Sequence, residues 1–271
     1  MATTKAPKRR PAKKAGKAAG IPKAPAARMT VREAMETLEE AGSAQTRKTY
    51  ARHGVTDPMF GVSFAVLKSL QKRIRVDHEL ALALFETGNV DARNLAMKVA
   101  DPARMSSADL DRWARANSVR GCGLYVAALA AEGPHAGAKE KQWLASKNEQ
   151  ERCVAWALVG QMAARDEALA DSWFQERLKR IERTIHSAPN GEREAMNQAV
   201  IAIGGRSAGL RKAALAAAGR IGKVEVDHGD TSCKTPEAAA YIEKMWAHAS
   251  AKSFPSPSAQ ERERESPRTR C

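Results

Sequence analysis

What most constrains this chain is its punctuation: helix start and stop signals recur about every 15 to 20 residues through the body of the sequence. Thr30 with Glu33 makes a capping box ahead of VREAMETLEEAG, and Gly42 stands where a terminating glycine belongs. Leu67, Leu70 and Ile74 fall on one helical face. Asp77 can cap DHELALALFETG, whose apolar stripe is Leu80, Leu84 and Phe85 and whose stop is Gly88. DARNLAMKVADP follows at once, with Leu95 and Val99 apolar and Pro102 closing it. No segment alternates as a strand would. Alanine dominates many segments and only 5% of residues are aromatic. The core must then be built from small and aliphatic side chains, which suits closely packed helices, because Ala leads the helix scale and is depleted in strands.

Neighbouring segments pair naturally: 77–87 with 91–100, 107–116 with 122–131, 138–146 with 149–164, and 167–185 with 192–203. A pair-to-pair spacing of about 30 residues lies in the range of two-helix repeats. No heptad is sustained, so a coiled coil is disfavoured. The expected fold is all-α, an arc of antiparallel helix pairs stacked as a solenoid over residues 29–250, with disordered tails at 1–28 and 251–271.

The net charge of +14 is unevenly placed. Residues 1–28 hold six Lys and three Arg with no acid, residues 252–271 hold one Lys, four Arg and three Glu, and the body between them carries only +3. A Lys-, Ala- and Pro-rich polycation has nothing to bury, and such arms commonly contact nucleic acid. Ser253–Cys271 has Phe254 as its sole aromatic residue and is expected to stay disordered. No apolar run approaches the roughly 18 residues of a spanning helix, so no membrane association is expected. The four cysteines (Cys122, Cys153, Cys233, Cys271) lack CxxC pairing and read as reduced thiols in a cytoplasmic protein associated with the nucleoid.

A solenoid presents one long face able to cradle a duplex. Cations suited to it are Arg47, Lys48 and Arg52 near the start, Lys68, Lys72, Arg73 and Arg75 on one helix, and Arg206, Arg211 and Lys212 near the end. The alternative for each is a solvated helix surface. Trp113, Trp143, Trp156 and Trp173 sit among apolar neighbours and read as core rather than as base-stacking groups. Asp227, His228, Asp230 and Cys233 are ligand-type residues in one loop, but paired metal-ligand spacing is missing. That loop reads as a structured turn in which His228 packs, Asp230 bonds the backbone and Thr235 caps a helix starting at Pro236. Neither a metal nor a cofactor is expected. No P-loop, GxSxG or HExxH motif occurs.

Four stretches resemble DNA alkylation repair proteins of the AlkD-like superfamily: HGV at His53–Val55, FGVSFAVLKSL at Phe60–Leu70, DHELALALFETGNVDARNLAMKVADP at Asp77–Pro102, and KVEVDHGDTSCKTPEAAAYI at Lys223–Ile242. The resemblance covers about residues 30–248. It implies an arc of HEAT-like repeats whose concave, cationic face holds duplex DNA. It also implies a DNA glycosylase activity that releases cationic alkylated purines such as 3-methyladenine and 7-methylguanine without a cofactor. In the family, tryptophans pack on the deoxyribose and an aspartate four residues after one of them opposes the positive charge growing on the sugar, in a segment resembling SxWDxCD. Here that segment is Asn117–Gly123, with Val119 at the tryptophan position and Gly123 at the aspartate position. A second wall tryptophan is missing near Ile201–Ala202, and Asp109 and Asp111 lie about two helical turns before Val119. The expectation is a monomer that binds duplex, damaged or branched DNA with little or no excision. The alternatives are a working glycosylase built on other residues, with Asp109 or Asp111 carrying the charge stabilisation, and a protein-interaction scaffold.

Overall fold

A computed structural model describes residues 28–116 and 123–270. Among these residues the fold is all-helical, with fourteen α-helices and two short 3-10 turns. The helices are α1 (Val31–Glu40), α2 (Ala44–Arg52), α3 (Phe64–Ile74), α4 (His78–Glu86), α5 (Val90–Val99), α6 (Ser107–Arg115) and α7 (Gly123–Glu132). They continue as α8 (Ala136–Leu144), α9 (Glu149–Arg165), α10 (Asp171–Thr184), α11 (Asn190–Gly204), α12 (Ala208–Ile221), α13 (Ala238–Ala251) and α14 (Pro257–Arg262). Most begin on a side chain that accepts a main-chain N–H: Ser63, Asp77, Asn89, Ser106, Asn148 and Ser207 all do so. The capping box of Thr30 and Glu33 is present, with Glu33 Oε2 accepting the Thr30 N–H at 2.7 Å.

The helices stack in two layers. Odd-numbered helices α3, α5, α7, α9, α11 and α13 pack each on the next. Even-numbered α4, α6, α8, α10 and α12 lie against them as the expected partners of antiparallel pairs. This is the HEAT-like solenoid. α9 is its central strut, with Val154, Ala155, Trp156, Leu158, Val159, Met162 and Ala163 buried between its neighbours. Small residues permit that approach: a Cβ placed on Gly160 would lie 3.4 Å from the Cβ of Ala202 on α11. Gly42 allows a similarly close passage, because a Cβ there would meet the Phe60 carbonyl oxygen at 2.5 Å.

The even layer is joined pair to pair by ions as well as by apolar contact. Glu86 meets Arg112, Asp111 meets Lys139, Glu140 meets Arg177 and Glu182 meets Arg220, so α4, α6, α8, α10 and α12 are linked in sequence. The Asp111 and Glu140 links are the most enclosed, and Asp111 is the more richly bonded. Its carboxylate accepts from Lys139 Nζ at 2.6 Å, Trp143 Nε1 at 2.7 Å and Gln142 Nε2 at 3.0 Å, while Lys139 is fully buried. Three of the four tryptophans expected in the core are there: Trp113, Trp143 and Trp156 are buried, and Trp113 stacks on Phe85 at 4.2 Å. Trp173 is half-buried, with the Arg177 guanidinium 3.6 Å above its ring.

Two expectations need correction. The C-terminal segment is ordered: Ser256 caps α14 with Pro257 at its first position, and Ser256, Ser258, Gln260 and Arg268 are buried. Its polar groups find main-chain partners on the body, so order arises without the apolar burial that composition would reveal. At the 227–235 loop the turn is made by Asp227, which accepts the Gly229 N–H at 2.8 Å, rather than by Asp230. Thr235 pairs with His228 Nε2, and the cap of α13 is Glu237. The basic arm 1–28 lies outside the described residues except for Arg28.

Removing the Asp111 carboxylate would leave the Lys139 ammonium buried beside an unsatisfied indole N–H. Asp111→Ala is expected to cost about 3 kcal/mol in urea unfolding at neutral pH. Burial alone would raise the Asp111 pKa, but the bonds from Lys139, Trp143 and Gln142 outweigh it and hold the group below its ordinary value. Its stabilisation is therefore full above the unfolded value near 4 and is lost as pH falls through the lower folded value. The stability gap between wild type and Asp111→Asn should narrow below that range; a constant gap down to pH 2 would contradict the assignment.

Candidate nucleic-acid interface

The odd helices begin along one edge of the stack, and arginines bridge their first turns. Arg115, at the end of α6, donates Nε to Glu151 on α9 at 2.7 Å. Arg152 donates Nε to Glu192 on α11 at 2.7 Å and Nη1 to the Ser146 carbonyl at 3.0 Å. Arg93 on α5 reaches the Ala116 carbonyl at 3.4 Å and pairs with Asp57. Gly123, the expected aspartate position, opens α7, while Val119 lies outside the described residues.

Several of the described carboxylates near this edge are engaged. Glu151 is held by Arg115 and Ser146, and Glu192 by Arg152 and Trp156 Nε1. Asp91 accepts the main-chain N–H groups of Phe60, Gly61 and Val62 at 2.7, 2.9 and 3.0 Å. Asp109 closes the N-terminus of α6 with Ser106 and pairs with Arg112. Asp111 is fixed in the even layer by Lys139, Gln142 and Trp143. Burial, with Glu149 and Glu192 beside it, pushes the Cys153 thiol up to about 12, so it supplies no thiolate.

The cations expected at the interface separate into two kinds. Lys48, Arg52, Lys72, Arg73, Arg75 and Lys212 are exposed and make no ion pair among the described residues. Arg47 is exposed but donates to the Phe60 carbonyl at 2.9 Å. Arg211 pairs with Glu243 and lies 5.0 Å over the Trp246 ring. Arg206 is occupied by the fold: it donates to the carbonyls of Ala163, Asp166 and Leu169 at 3.2, 2.6 and 2.6 Å, beside Asp171 and the Phe174 ring. It closes the C-terminal end of α9 and is not available to a ligand.

Sequence reading missed Lys98, Arg165 and Arg268. Lys98 is buried, with Nζ 4.5 Å from the Tyr125 ring centre and 5.8 Å from that of Phe64. A lysine amid the apolar run LAMKVA was the available signal. Among the described residues no group of three His, Cys, Asp or Glu is arranged to hold a metal ion, and no helix is long and apolar enough to cross a membrane.

Comparison with known proteins agrees with this arrangement. Residues 34–242 match the family described as DNA alkylation repair enzyme. An uncharacterized protein of Listeria innocua is 28% identical over 216 residues, covering 76% of this chain and 93% of its own. An uncharacterized protein of Listeria monocytogenes is 27% identical over 213 residues with the same coverage. A solved structure with a TM-score of 0.74 and 29% identity covers 82% of this chain and 95% of its own. It is described as belonging to a new family of proteins related to the HEAT-like repeat DNA glycosylases with affinity for branched DNA structures. With the match spanning most of the helical body, the chain belongs to the DNA alkylation repair enzyme family.

Proposed function

We infer that this protein binds duplex and branched DNA on the odd-helix layer without excising bases. The observation that carries this reading is Gly123 at the start of α7, where the family pattern places a carboxylate, with Asp111, Glu151 and Glu192 already committed to other partners. Excision of a cationic base needs a group that opposes the charge growing on the sugar, and removing one such preorganised group typically lowers the rate by about 10² to 10³. Val119 offers no π-face to a cationic sugar, and Ala202 stands where a second tryptophan wall is missing. The exposed cations Lys48, Arg52, Lys72 and Arg73 support phosphate contact, and the acid-free 1–28 arm adds to it. The affinity for branched DNA of the structural relative supports junctions as ligands. The expected setting is a monomer in the cytoplasm, close to the nucleoid.

One titration tests both halves of the reading. Undamaged, 7-methylguanine-containing and three-way-junction duplexes are each scored for binding and for base release in a single turnover. Binding to all three with no release above the protein-free rate is expected. Robust release by the wild type would overturn the non-excising assignment. A gain in Val119→Trp/Gly123→Asp would locate the missing chemistry.

Binding in turn should depend on salt through identifiable groups. Each phosphate neutralised contributes about −0.9 to the slope of log affinity against log salt. Deleting residues 1–28 should make the slope shallower by several units, and Lys72→Ala/Arg73→Ala by about two, with no loss of thermal stability in the double variant. Arg206→Gln should do the reverse, lowering stability while leaving the slope in place. A slope indifferent to both the arm and Lys72/Arg73 would remove these groups from the interface.

A further inference from the structure

Residues 253–270 lie beyond the 34–242 stretch that carries the family match, yet they are built into the fold. The chain turns at Ser253, whose φ is +61°, and lays α14 across the ends of two odd helices. Ser258 donates its N–H to the Gly205 carbonyl at 3.0 Å and its hydroxyl to that of Ala163 at 3.3 Å. Arg262 reaches the Ala164 carbonyl and pairs with Glu167. Farther on, Arg268 donates to the carbonyls of Met97, Lys98 and Ala100 at 3.1, 3.2 and 3.2 Å and to Glu132 at 2.8 Å.

Between these two anchors the traffic runs the other way, from body cations to acceptors on the segment. Lys68 Nζ on α3 donates to Glu265 Oε2 at 2.7 Å and to the Thr269 carbonyl at 2.5 Å. Lys98 Nζ on α5 donates to the Arg268 carbonyl at 3.0 Å. Arg165 at the end of α9 donates to the carbonyls of Arg264 and Glu265 at 3.3 and 3.2 Å. Three cations on three odd helices thus converge on carbonyl and carboxylate oxygens of one short segment, which turns at 267–269 with Ser266 accepting the N–H groups of Thr269 and Arg270. A close series of oxygen acceptors is also what a phosphodiester backbone presents. Phe64, 40% exposed, stands beside Lys98, and Lys72 is one turn along α3 from Lys68. The bond from Lys68 and the charges of Lys68 and Lys72 hold the Glu265 carboxyl below its ordinary value, so it is anionic at neutral pH.

Resting on the DNA-binding reading above, we propose that residues 264–270 are an autoinhibitory occupant of a strand-binding track. They cover Lys68 and Lys98 until the phosphodiester backbone of one DNA strand displaces them. α14 stays docked on α9 and acts as the hinge, while the run beyond Glu263 peels away. The apparent affinity for DNA is then lowered by the fraction of molecules in which the track is covered.

The sign of the effect separates this proposal from charge counting. A chain ending after Glu263 loses Arg264, Arg268 and Arg270 but only Glu265, a net loss of two positive charges. Non-specific attraction alone would then weaken binding. The proposal requires tighter binding of a three-way junction, by about fivefold or more, and a salt slope steeper by about two units as Lys68 and Lys98 meet phosphates. Glu265→Ala in the full chain, which cuts one anchor of an exposed carboxylate, should tighten binding by about twofold whether or not the truncated chain folds. Because it also adds one positive charge, it must at the same time speed amide exchange within 264–270 of the free protein, which charge alone would not do. In the wild type, saturating junction DNA should speed amide exchange within 264–270 while α14 stays protected. Unchanged or weaker binding by Glu265→Ala, with 264–270 still protected in the complex, would overturn the proposal and leave the segment purely structural. Failure of every form to bind DNA would instead sink the DNA-binding reading itself, and this proposal with it.

Discussion

A helix ends with main-chain carbonyls that have no partner inside it, and a stack of short helices multiplies those ends. Much of this fold depends on arginines that reach across from another element to meet them. Arg180 takes the Leu144 carbonyl at the end of α8, Arg206 those at the end of α9, and Arg268 those at the end of α5. Arg93, Arg152 and Arg193 do the same for the carbonyls of Ala116, Ser146 and Ala188. A guanidinium suits the task because its planar fork can meet several oxygens at once and cannot lose its charge. The bonds of Arg93 and Arg180 join one pair to the next, so they fix the angle between pairs, while those of Arg152 and Arg193 tie the two helices of a single pair.

This division of labour explains what could and could not be read in the sequence. Pair boundaries, caps and core stripes were legible because they are local: Asp77, Asn89 and Ser106 sit at helical spacing before their apolar runs, and Leu67, Leu80, Leu84 and Leu95 are buried as their periodicity requires. The duty of an arginine is not local. Arg206 and Lys212 look alike in sequence, yet one is clasped by carbonyls of α9 and the loop after it, about forty residues upstream, while the other is solvated. The order of 253–270 was hidden for the same reason, since its partners are carbonyls of α5 and α9 far up the chain. Within the candidate site, Val119 and Gly123 were legible as departures from a pattern. The commitment of Asp111 to Lys139 and Trp143 was not, because it required knowing that α6 lies beside α8.

The family fold and the family chemistry make different demands on a chain. The scaffold persists because its requirements are spread over many caps, small residues and joints, each with a modest share of the stability. An excision site concentrates its requirements in a few side chains at one helix start. On the non-excising reading proposed above, Gly123 changes one of them without disturbing the buried run that follows it, Val126 to Ala130. A helical stack without such a group still offers rows of cations and helix ends to a polyanion.

A stack of repeats is ordinarily a one-dimensional array in which each unit feels only its neighbours, so that it can fray from either end. Here Lys68 and Glu265 meet across 197 positions of sequence, and Arg268 ties the chain's end back to the fifth helix. That link closes the array into a ring of contacts, so strain at the last pair is felt at the first. Closure of so long a loop contributes only slowly growing entropy cost with length, but it places a late, non-local step in the folding of an otherwise local architecture.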